Sequence, residues 1–331
     1  MAFRFHVPCL PHTLPTTDYA ACAYSQKLRN FARMMRARGH EVFLYESNEP
    51  LRPDQYLELP FNRDHPVWRR QNARAIVAMR ENLQPHDILC LIGGLCQQPI
   101  AEAFPQHQVV EFGIGYYGVF APFQVFESYA HRATVYGRLG VTNGRFFDAV
   151  IPNYFDPAEF PTSDVQDDYV LFVGRLNHDK GLGVAIDAAQ QAGVHLIVCG
   201  AGVPSANVDY RGVVGIEERG RLMARARAVL APTLYLEPFG GVAVEAQFCG
   251  TPAITTDWGA FPETVVQGVT GFRCHYLGEF VEAIHRASTL DRTAIRRRAI
   301  ETYSLAVVGA QYERYFEQLA LLWGAGWHTC A

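Results

Sequence analysis

The chain has 331 residues, a hydrophobic fraction of 49%, a charged fraction of 19% and a formal net charge of −4. This length exceeds what one ordinary core holds and predicts two domains, while the balance of apolar and charged residues excludes a disordered chain. The negative net charge argues against nucleic acid as a partner.

The first half of the chain predicts alternating strands and helices. A buried strand at 3–7 leads through a Pro-rich loop into a helix on which Leu28, Phe31 and Met35 share one apolar face. Further strands are expected at 41–45, 87–92 and 108–112. Strands that alternate with helices in this way are typical of a doubly wound parallel sheet.

The second half repeats this alternation after a proline-bearing stretch at 151–157, which predicts a domain linker. A helix is expected over 181–192, and the last amphipathic segment runs over 307–323. The predicted strands of this half are 169–173, 195–199, 228–231 and 253–255.

We therefore predict an α/β protein with two Rossmann-like domains. The N-terminal domain spans 1–150 and is joined by the C-terminal helix at 307–331, and the second domain spans 151–306. Ligands bind at the carboxyl ends of the strands in open parallel sheets. Two such domains that face each other would hold a large polar ligand in the cleft between them.

A glycine-bearing helix start carries the most informative pattern. Gly240 and Gly241 open a helix whose first amides lack intrahelical acceptors, and these amides lie at the positive end of the helix dipole. Such a helix start favours a phosphate. If one helix carried both Glu237 and Glu245, roughly 12 Å would separate them. This spacing suits one carboxylate for sugar hydroxyls and the other for a ribose diol.

Cations for a diphosphate follow the strand at 169–173. Gly174 and Arg175 come directly after this strand, and Lys180 precedes the next helix. Arginine suits paired phosphate oxygens through its planar fork, and lysine supplies a compact charge. Each residue alone is as typical of a surface turn or a helix cap, but the whole set in this order favours a nucleotide-sugar site.

This set resembles the donor-binding domain of the retaining glycosyltransferases of family 4 (glycosyltransferase group 1), which have the GT-B fold. The resemblance continues through the segments at 250–254, 259–263 and 268–272, and it is dense between about 150 and 272. It implies the transfer of a hexose from a UDP- or GDP-sugar to a hydroxyl of a carbohydrate or other acceptor, with retention.

The resemblance also assigns roles to individual residues. It implies that Arg175 and Lys180 bind the diphosphate, that Glu237 contacts the transferred sugar and that Glu245 contacts the ribose. No metal and no other cofactor are expected, because the cations and the helix dipole neutralise the leaving group. The donor-binding set is completed by Gly174, Val214, Phe239, Gly240 and Gly241.

The N-terminal half departs from the family pattern at one position. Many members place a His directly after the strand that ends here at Phe112, where this chain has Gly113. We take Glu111 as the candidate for the missing catalytic group. The alternatives are Tyr116, Glu127 and His131.

No membrane span is expected, because no run of about 18 apolar residues is present. The N-terminus lacks a signal-peptide core, and eight cysteines without a CxxC pair predict buried thiols in a cytoplasmic protein. Basic runs at 33–38 and 292–298 are interpreted as solvated helix faces, which leaves peripheral membrane contact open.

Three alternatives stay open. An NAD-dependent oxidoreductase is suggested by the GxGxxG match at 113–118, although Tyr116 and Tyr117 crowd that turn and Pro122 interrupts the next segment. A GT-B nucleotide-sugar epimerase would use the same site on free donor. A sugar-nucleotide-binding module without activity is the third alternative, and the complete set of site residues argues against it.

Overall fold

The computed structural model describes residues 2–52, 61–204 and 208–323. The chain forms two compact units. The first unit comprises the chain up to Glu127, then Arg132–Tyr154 and the chain from Leu305 on; the second comprises Ser128–His131 and Phe155–Ser304. Each unit contains one six-stranded parallel sheet with helices, so the predicted α/β class with two Rossmann-like domains is confirmed.

The first sheet has the strand order β2-β1-β3-β4-β5-β6. Its strands are β1 (Arg4–Pro8), β2 (Glu41–Tyr45), β3 (Ile88–Leu91), β4 (Gln108–Ile114), β5 (Phe123–Phe126) and β6 (Ala149–Val150). The helices of this part of the chain are α1 (Ala23–Ala37), α2 (Pro66–Asn82), α3 (Gln98–Ala103) and α4 (Tyr129–Leu139).

Strand β3 shows that the first sheet is buried on both faces. Ile88 and Cys90 pack into the core that α1 covers, whereas Leu89 and Leu91 pack into the core that α2 and α3 cover. A strand between two helical layers must be apolar on both faces, which explains its uninterrupted hydrophobic run.

The second sheet has the strand order β12-β11-β10-β7-β8-β9. Its strands are β7 (Tyr169–Val173), β8 (His195–Cys199), β9 (Asp209–Tyr210), β10 (Ala228–Ala231), β11 (Ala253–Thr256) and β12 (Gly271–Cys274). The helices are α5 (Leu182–Ala192), α6 (Ile216–Arg225), α7 (Gly241–Phe248), α8 (Phe261–Thr264), α9 (Leu277–Arg286) and α10 (Arg292–Tyr303).

The last described helix, α11 (Leu305–Ala320), packs against α1 in the first unit. Gly309 permits this close approach, because a Cβ at this position would lie 2.7 Å from Cγ of Met34. Arg38 and Glu313 form an ion pair between the end of α1 and α11. The part of the predicted helix beyond residue 323, with Cys330, lies outside the described residues.

The interpretation of the basic run at 292–298 as a solvated face is wrong for two of its arginines. Arg292 donates to the carbonyl oxygens of Ala224 and Ala226, and Arg296 donates to those of Phe160 and Phe248. The last carbonyl groups of a helix lack intrahelical donors, so cations at the ends of α6 and α7 are stabilising.

Two expectations from the sequence concern membrane-spanning helices and the state of the cysteines. Within the described ranges, no helix is both long and apolar enough to cross a membrane. The seven cysteines of those ranges are buried and free of disulfides. Burial raises the pKa of the Cys199 thiol to about 11 and that of Cys96 to about 11, which favours the neutral thiol.

Candidate functional site

A pocket of the second unit lies at the carboxyl ends of β7 and β10 and at the start of α7. Four predicted site residues line it: Lys180, Glu237, Gly240 and Gly241. Its remaining lining is largely apolar and comprises Phe172, Val173, Ala231, Thr233, Val242, Ala243 and Phe261. Ligands of open parallel sheets bind at this edge.

The loop after β7 is fixed by the loop after β8. The amide of Gly174 donates to the carbonyl oxygen of Cys199 (3.0 Å), and the amide of Leu176 donates to that of Ala201 (2.8 Å). Gly200 has a φ of +144°, and a Cβ at this position would overlap the carbonyl oxygen of Gly174. The backbone that presents Arg175 is therefore held in one conformation.

Arg175 itself is exposed. Its guanidinium makes no hydrogen bond or ion pair with the residues that the structure describes. An exposed arginine on a fixed backbone keeps all its donors for a ligand.

Lys180 is positioned by its own short turn. The side chain of Asn177 accepts a hydrogen bond from the Lys180 amide (3.1 Å), and the next residue, Gly181, has a φ of +73°. A Cβ at Gly181 would overlap the carbonyl oxygen of Pro232, so only glycine fits where this turn meets the end of β10.

The ammonium group of Lys180 has two hydrogen-bond partners, of which Glu237 lines the pocket. Its Nζ donates to Oε2 of Glu237 (2.7 Å) and to the hydroxyl of Tyr235 (2.7 Å). It also lies 4.9 Å from the centroid of the Tyr235 ring. Tyr235 was not among the predicted site residues, and its only sequence signal is that it lies two residues before Glu237.

Glu237 lies in the loop before α7, so the assumption that one helix carries both Glu237 and Glu245 is wrong. Gly240 has a φ of +80°, a left-handed conformation that separates Glu237 from the helix beginning at Gly241. The backbone of Glu237 is held from the opposite side, where its carbonyl oxygen accepts from the amide of Ala260 (2.9 Å).

The start of α7 has little room for larger residues. A Cβ at Gly240 would lie 2.5 Å from Cε1 of Phe261, and Phe239 directly before it is buried. The amides of Gly241 and Val242 lack intrahelical acceptors, whereas the amide of Ala243 donates to the carbonyl oxygen of Gly240 (3.0 Å). These residues border the pocket that Lys180 and Glu237 line. This arrangement suits an anion that is hydrogen-bonded by the helix start and paired with lysine.

Glu245 lies within α7 and pairs with Arg219 of α6. Nε of Arg219 lies 2.9 Å from Oε2 of Glu245, and Nη2 lies 3.2 Å from Oε1. Burial raises the pKa of Glu245, Arg219 opposes this shift and Glu159 adds to it. Arg219 was missed from the sequence, because it is one charged residue among several at 217–221. Val214 lies two residues before α6, which carries Arg219.

Glu111 in the first unit is fully buried. Its Oε2 accepts from the amides of Phe120 (2.7 Å) and Ala121 (2.8 Å), and its Oε1 accepts from the hydroxyl of Tyr116 (3.1 Å). Burial raises its pKa to about 7, although these hydrogen bonds oppose the shift. The carboxylate ties the loop before β5 to β4, and this geometry gives no support to the catalytic role, which stays a prediction.

Of the alternatives to Glu111, Glu127 and His131 are also buried, whereas Tyr116 is half-buried. Glu127 forms an ion pair with Lys27, and Nζ of Lys27 also donates to the carbonyl oxygen of Gly113 (3.1 Å). A Cβ at Gly113 would lie 3.2 Å from Cδ of Lys27, so the lysine stem fills the space beside this glycine. His131 is buried, and its amide donates to Oγ of Ser128 (3.0 Å).

The GxGxxG segment at 113–118 lacks the structural context of a dinucleotide site. It begins within the last two residues of β4, and the chain then continues through a loop into β5 rather than into a helix. A dinucleotide fingerprint requires a helix whose start faces the pyrophosphate. This geometry disfavours the oxidoreductase alternative.

Comparison with known proteins identifies the second unit. Residues 167–289 match the family described as Glycosyl transferases group 1. This segment is a group 1 glycosyl transferase domain. It contains every donor-site residue discussed above, from Gly174 to Glu245.

Curated relatives match less than half of the chain. Alpha-maltose-1-phosphate synthase of Mycobacterium tuberculosis is 30% identical over 176 residues, which cover 43% of this chain and 45% of that protein. D-inositol 3-phosphate glycosyltransferase of Mycobacterium sp. is 31% identical over 158 residues, which cover 42% and 36%. The chain thus spans less than half the length of these two relatives.

Solved structures share the fold over nearly the whole chain. AviGT4, a glycosyltransferase involved in avilamycin A biosynthesis, superposes with a TM-score of 0.72 at 20% identity and covers 96% of this chain and 98% of its own. HepE of Anabaena in complex with UDP-glucose gives 0.70 at 18% identity and covers 97% and 100%. The predicted GT-B fold class is confirmed by these similarities.

Proposed function

We propose that this protein is a glycosyltransferase that moves a hexose from a nucleoside-diphosphate sugar to a hydroxyl acceptor with retention and without a metal. The observation that carries this proposal is the pocket in which Lys180, Glu237 and the start of α7 meet within a group 1 domain. The acceptor is a carbohydrate or another hydroxyl compound.

The group 1 domain offers a distinct partner for each part of the donor, partly from the lining of the pocket and partly from Arg175 and Glu245, which lie outside that lining. The amides near Gly240, the ammonium of Lys180 and the guanidinium of Arg175 bind the diphosphate and stabilise the charge that develops on it. Glu237 accepts hydrogen bonds from the sugar hydroxyls. Glu245, oriented by Arg219, accepts hydrogen bonds from the ribose diol.

We propose a UDP-sugar as the first donor to test, with GDP-sugars as the alternative. The HepE complex contains UDP-glucose, and the pneumococcal GtfA complex contains UDP and GlcNAc. The base leaves no clear side-chain signature near Val214, so the donor has to be identified by direct binding measurements.

Retention follows in our proposal from a reaction on one face of the sugar. The bond between the anomeric carbon and the leaving phosphate oxygen breaks, the acceptor oxygen forms the new bond, and the acceptor proton moves to the leaving diphosphate. Arg175 and Lys180 stabilise the diphosphate as negative charge accumulates on it. No metal takes part in this step, because these cations and the helix dipole supply the positive charge.

A thermal-shift screen tests the donor assignment. UDP, GDP, ADP, their common sugar conjugates and NAD(H) are each added at saturating concentration. A ligand at about 100 times its dissociation constant adds roughly 2.7 kcal/mol to the free energy of unfolding. We expect one nucleoside diphosphate and its sugar conjugate to stabilise the protein, and Glu245→Ala to abolish that shift. Stabilisation by NAD(H) alone would refute the proposal.

Product analysis separates the transferase from the epimerase. With the donor found in the screen and a panel of sugar and inositol acceptors, we expect a new glycoside whose anomeric configuration in the NMR spectrum equals that of the donor. The reaction is expected to continue in EDTA. Conversion of the donor sugar without any acceptor would instead identify an epimerase, and loss of activity in EDTA would contradict metal independence.

A further inference from the structure

The pair of Lys180 and Glu237 is built into the site before any ligand binds. Nζ of Lys180 and Oε2 of Glu237 lie 2.7 Å apart, and their side chains are 21% and 13% exposed. Low exposure limits solvent screening of this pair. The proposed function assigns Lys180 to the diphosphate and Glu237 to the sugar. These two residues are thus already paired with each other.

The pairing reduces the hydrogen-bond donors and the net charge that Lys180 can offer to a ligand. An ammonium group has three N–H donors, and two of them are directed to Glu237 and Tyr235. Tyr235 is a neutral acceptor that orients the ammonium without cancelling its charge. Glu237 both orients it and cancels its charge, so one donor and a reduced net charge remain for an incoming phosphate.

We propose that Glu237 competes with the bound diphosphate for Lys180 and so makes the site favour the sugar-bearing donor over the bare nucleoside diphosphate. This inference rests on the proposed function. In the donor complex, the sugar hydroxyls donate to Glu237 and offset its negative charge. In the product complex the sugar is absent, so the carboxylate faces the diphosphate and keeps its hold on Lys180.

This competition has a consequence for turnover. After transfer, the bare nucleoside diphosphate carries more negative charge than the donor, and the lysine alone would bind it more tightly. Glu237 offsets that gain because it keeps its hold on the Lys180 ammonium and cancels part of its positive charge. Weak product binding then follows from the same residue that recognises the sugar.

Calorimetry with wild type and Glu237→Gln tests the proposal. The ligands are UDP, GDP, ADP, UDP-glucose and GDP-glucose. Glutamine keeps the shape of the side chain and an oxygen that accepts from Lys180, but it removes the negative charge. We expect the dissociation constant of the best-bound bare diphosphate to fall about tenfold in the variant. That of its glucose conjugate is expected to rise or stay unchanged.

A double-mutant cycle with Lys180→Met shows whether the tighter diphosphate binding of Glu237→Gln depends on Lys180. We expect the tighter binding of the bare diphosphate to disappear when Glu237→Gln is combined with Lys180→Met. A gain of equal size without Lys180 would overturn the competition, as would unchanged or weaker diphosphate binding in Glu237→Gln. Equal melting temperatures of wild type and Glu237→Gln establish that the variant is folded.

The outcomes distinguish a failure of the proposed function from a failure of the competition between Glu237 and the diphosphate. If wild-type protein binds none of the nucleotides, the proposed function fails and the competition fails with it. If wild type binds a nucleotide and its sugar conjugate but Glu237→Gln leaves their affinity ratio unchanged, only the competition fails. Glu245→Gln serves as the matched control, because it removes a carboxylate that does not contact Lys180 and should weaken both ligands alike.

Discussion

Arg219 contacts both carboxylate oxygens of Glu245, at 2.9 Å from Nε to Oε2 and at 3.2 Å from Nη2 to Oε1. The two side chains are 8% and 15% exposed. A carboxylate offers about four lone-pair directions, so two contacts from one guanidinium leave acceptors for a vicinal diol. Arg219 is thus a positioning residue for the carboxylate that we assign to the ribose.

Replacing Arg219 by Leu should weaken nucleoside-diphosphate binding about tenfold and lower the free energy of unfolding by about 2–4 kcal/mol, because a buried carboxylate loses its partner. Arg219→Lys keeps the charge but not the planar fork and should lie between wild type and Arg219→Leu. Calorimetry with UDP and GDP and denaturant titration measure both effects. Arg221→Leu, which alters an exposed arginine of α6, should change neither.

The pH dependence of binding gives Arg219 a second readout. The protonated form of Glu245 accepts fewer hydrogen bonds, so binding should weaken as the pH falls through the pKa of this carboxyl. Arg219 lowers that pKa against the effect of burial. The pH at which binding is half lost should therefore move upward in Arg219→Leu. An unchanged midpoint would mean that Arg219 acts on stability alone.

Glu111 should make the protein less stable as the pH rises. Burial raises its pKa to about 7, above the ordinary value of 4.5, so folding favours the protonated form. The stability that this group contributes is full below pH 4.5 and is lost as the pH rises towards 7, by up to about 3 kcal/mol. Glu111→Gln should remove this part of the pH dependence, as measured by denaturant titration between pH 4.5 and 8.

The same variant tests the catalytic role predicted for Glu111. A glutamine can still accept hydrogen bonds from the amides of Phe120 and Ala121, so we expect turnover within about threefold of wild type. A folded Glu111→Gln protein with turnover reduced more than about a hundredfold would instead establish Glu111 as a catalytic group.

Arg175→Ala and Lys180→Ala should each reduce turnover by roughly 10²–10³, because each removes a cation from the developing charge of the leaving diphosphate. Steady-state rates with the donor found in the screen measure this loss. Arg286→Ala removes an exposed arginine of α9 and should leave the rate unchanged. Near-wild-type rates in both site variants would contradict their assigned roles.

Eight of the twelve strands that the structure describes could be predicted from local sequence to within a few residues, whereas β5, β6, β9 and β12 were not predicted. The predicted strand at 169–173 coincides with β7, and that at 195–199 coincides with β8. Each is a short apolar run between polar or glycine-bearing turns, and such runs are buried on both faces of a parallel sheet. The helix expected at 181–192 begins one residue later, because Gly181 takes a left-handed conformation.

The contacts within the site were less predictable. Lys180 and Glu237 were both identified as site residues, but their mutual ion pair was not, because it joins turns after β7 and β10 that are distant in sequence. Arg219 was missed because it is one of several charged residues at 217–221, and its partner Glu245 is distant in sequence. Arg292 and Arg296 were misinterpreted because their acceptors are backbone carbonyl groups, which are present at every position of any sequence.

Gly259 offers a test of how the backbone of Glu237 is held. Its φ is +62°, and a Cβ at this position would lie 2.6 Å from the backbone nitrogen of Glu237. Gly259→Ala should therefore displace Glu237 as well as strain the turn. We expect a loss of about 2–4 kcal/mol in the free energy of unfolding and at least a tenfold weaker affinity for the sugar conjugate.

Gly268→Ala is the matched control for this variant. Gly268 has a φ of +70°, but no heavy atom lies within 4 Å of a Cβ at this position. The control should cost only about 1 kcal/mol from backbone strain and should leave donor affinity unchanged. Equal losses in the two variants would show that strain alone explains the effect of Gly259→Ala. A larger loss of UDP-sugar affinity in Gly259→Ala would show that close packing of the backbone positions Glu237.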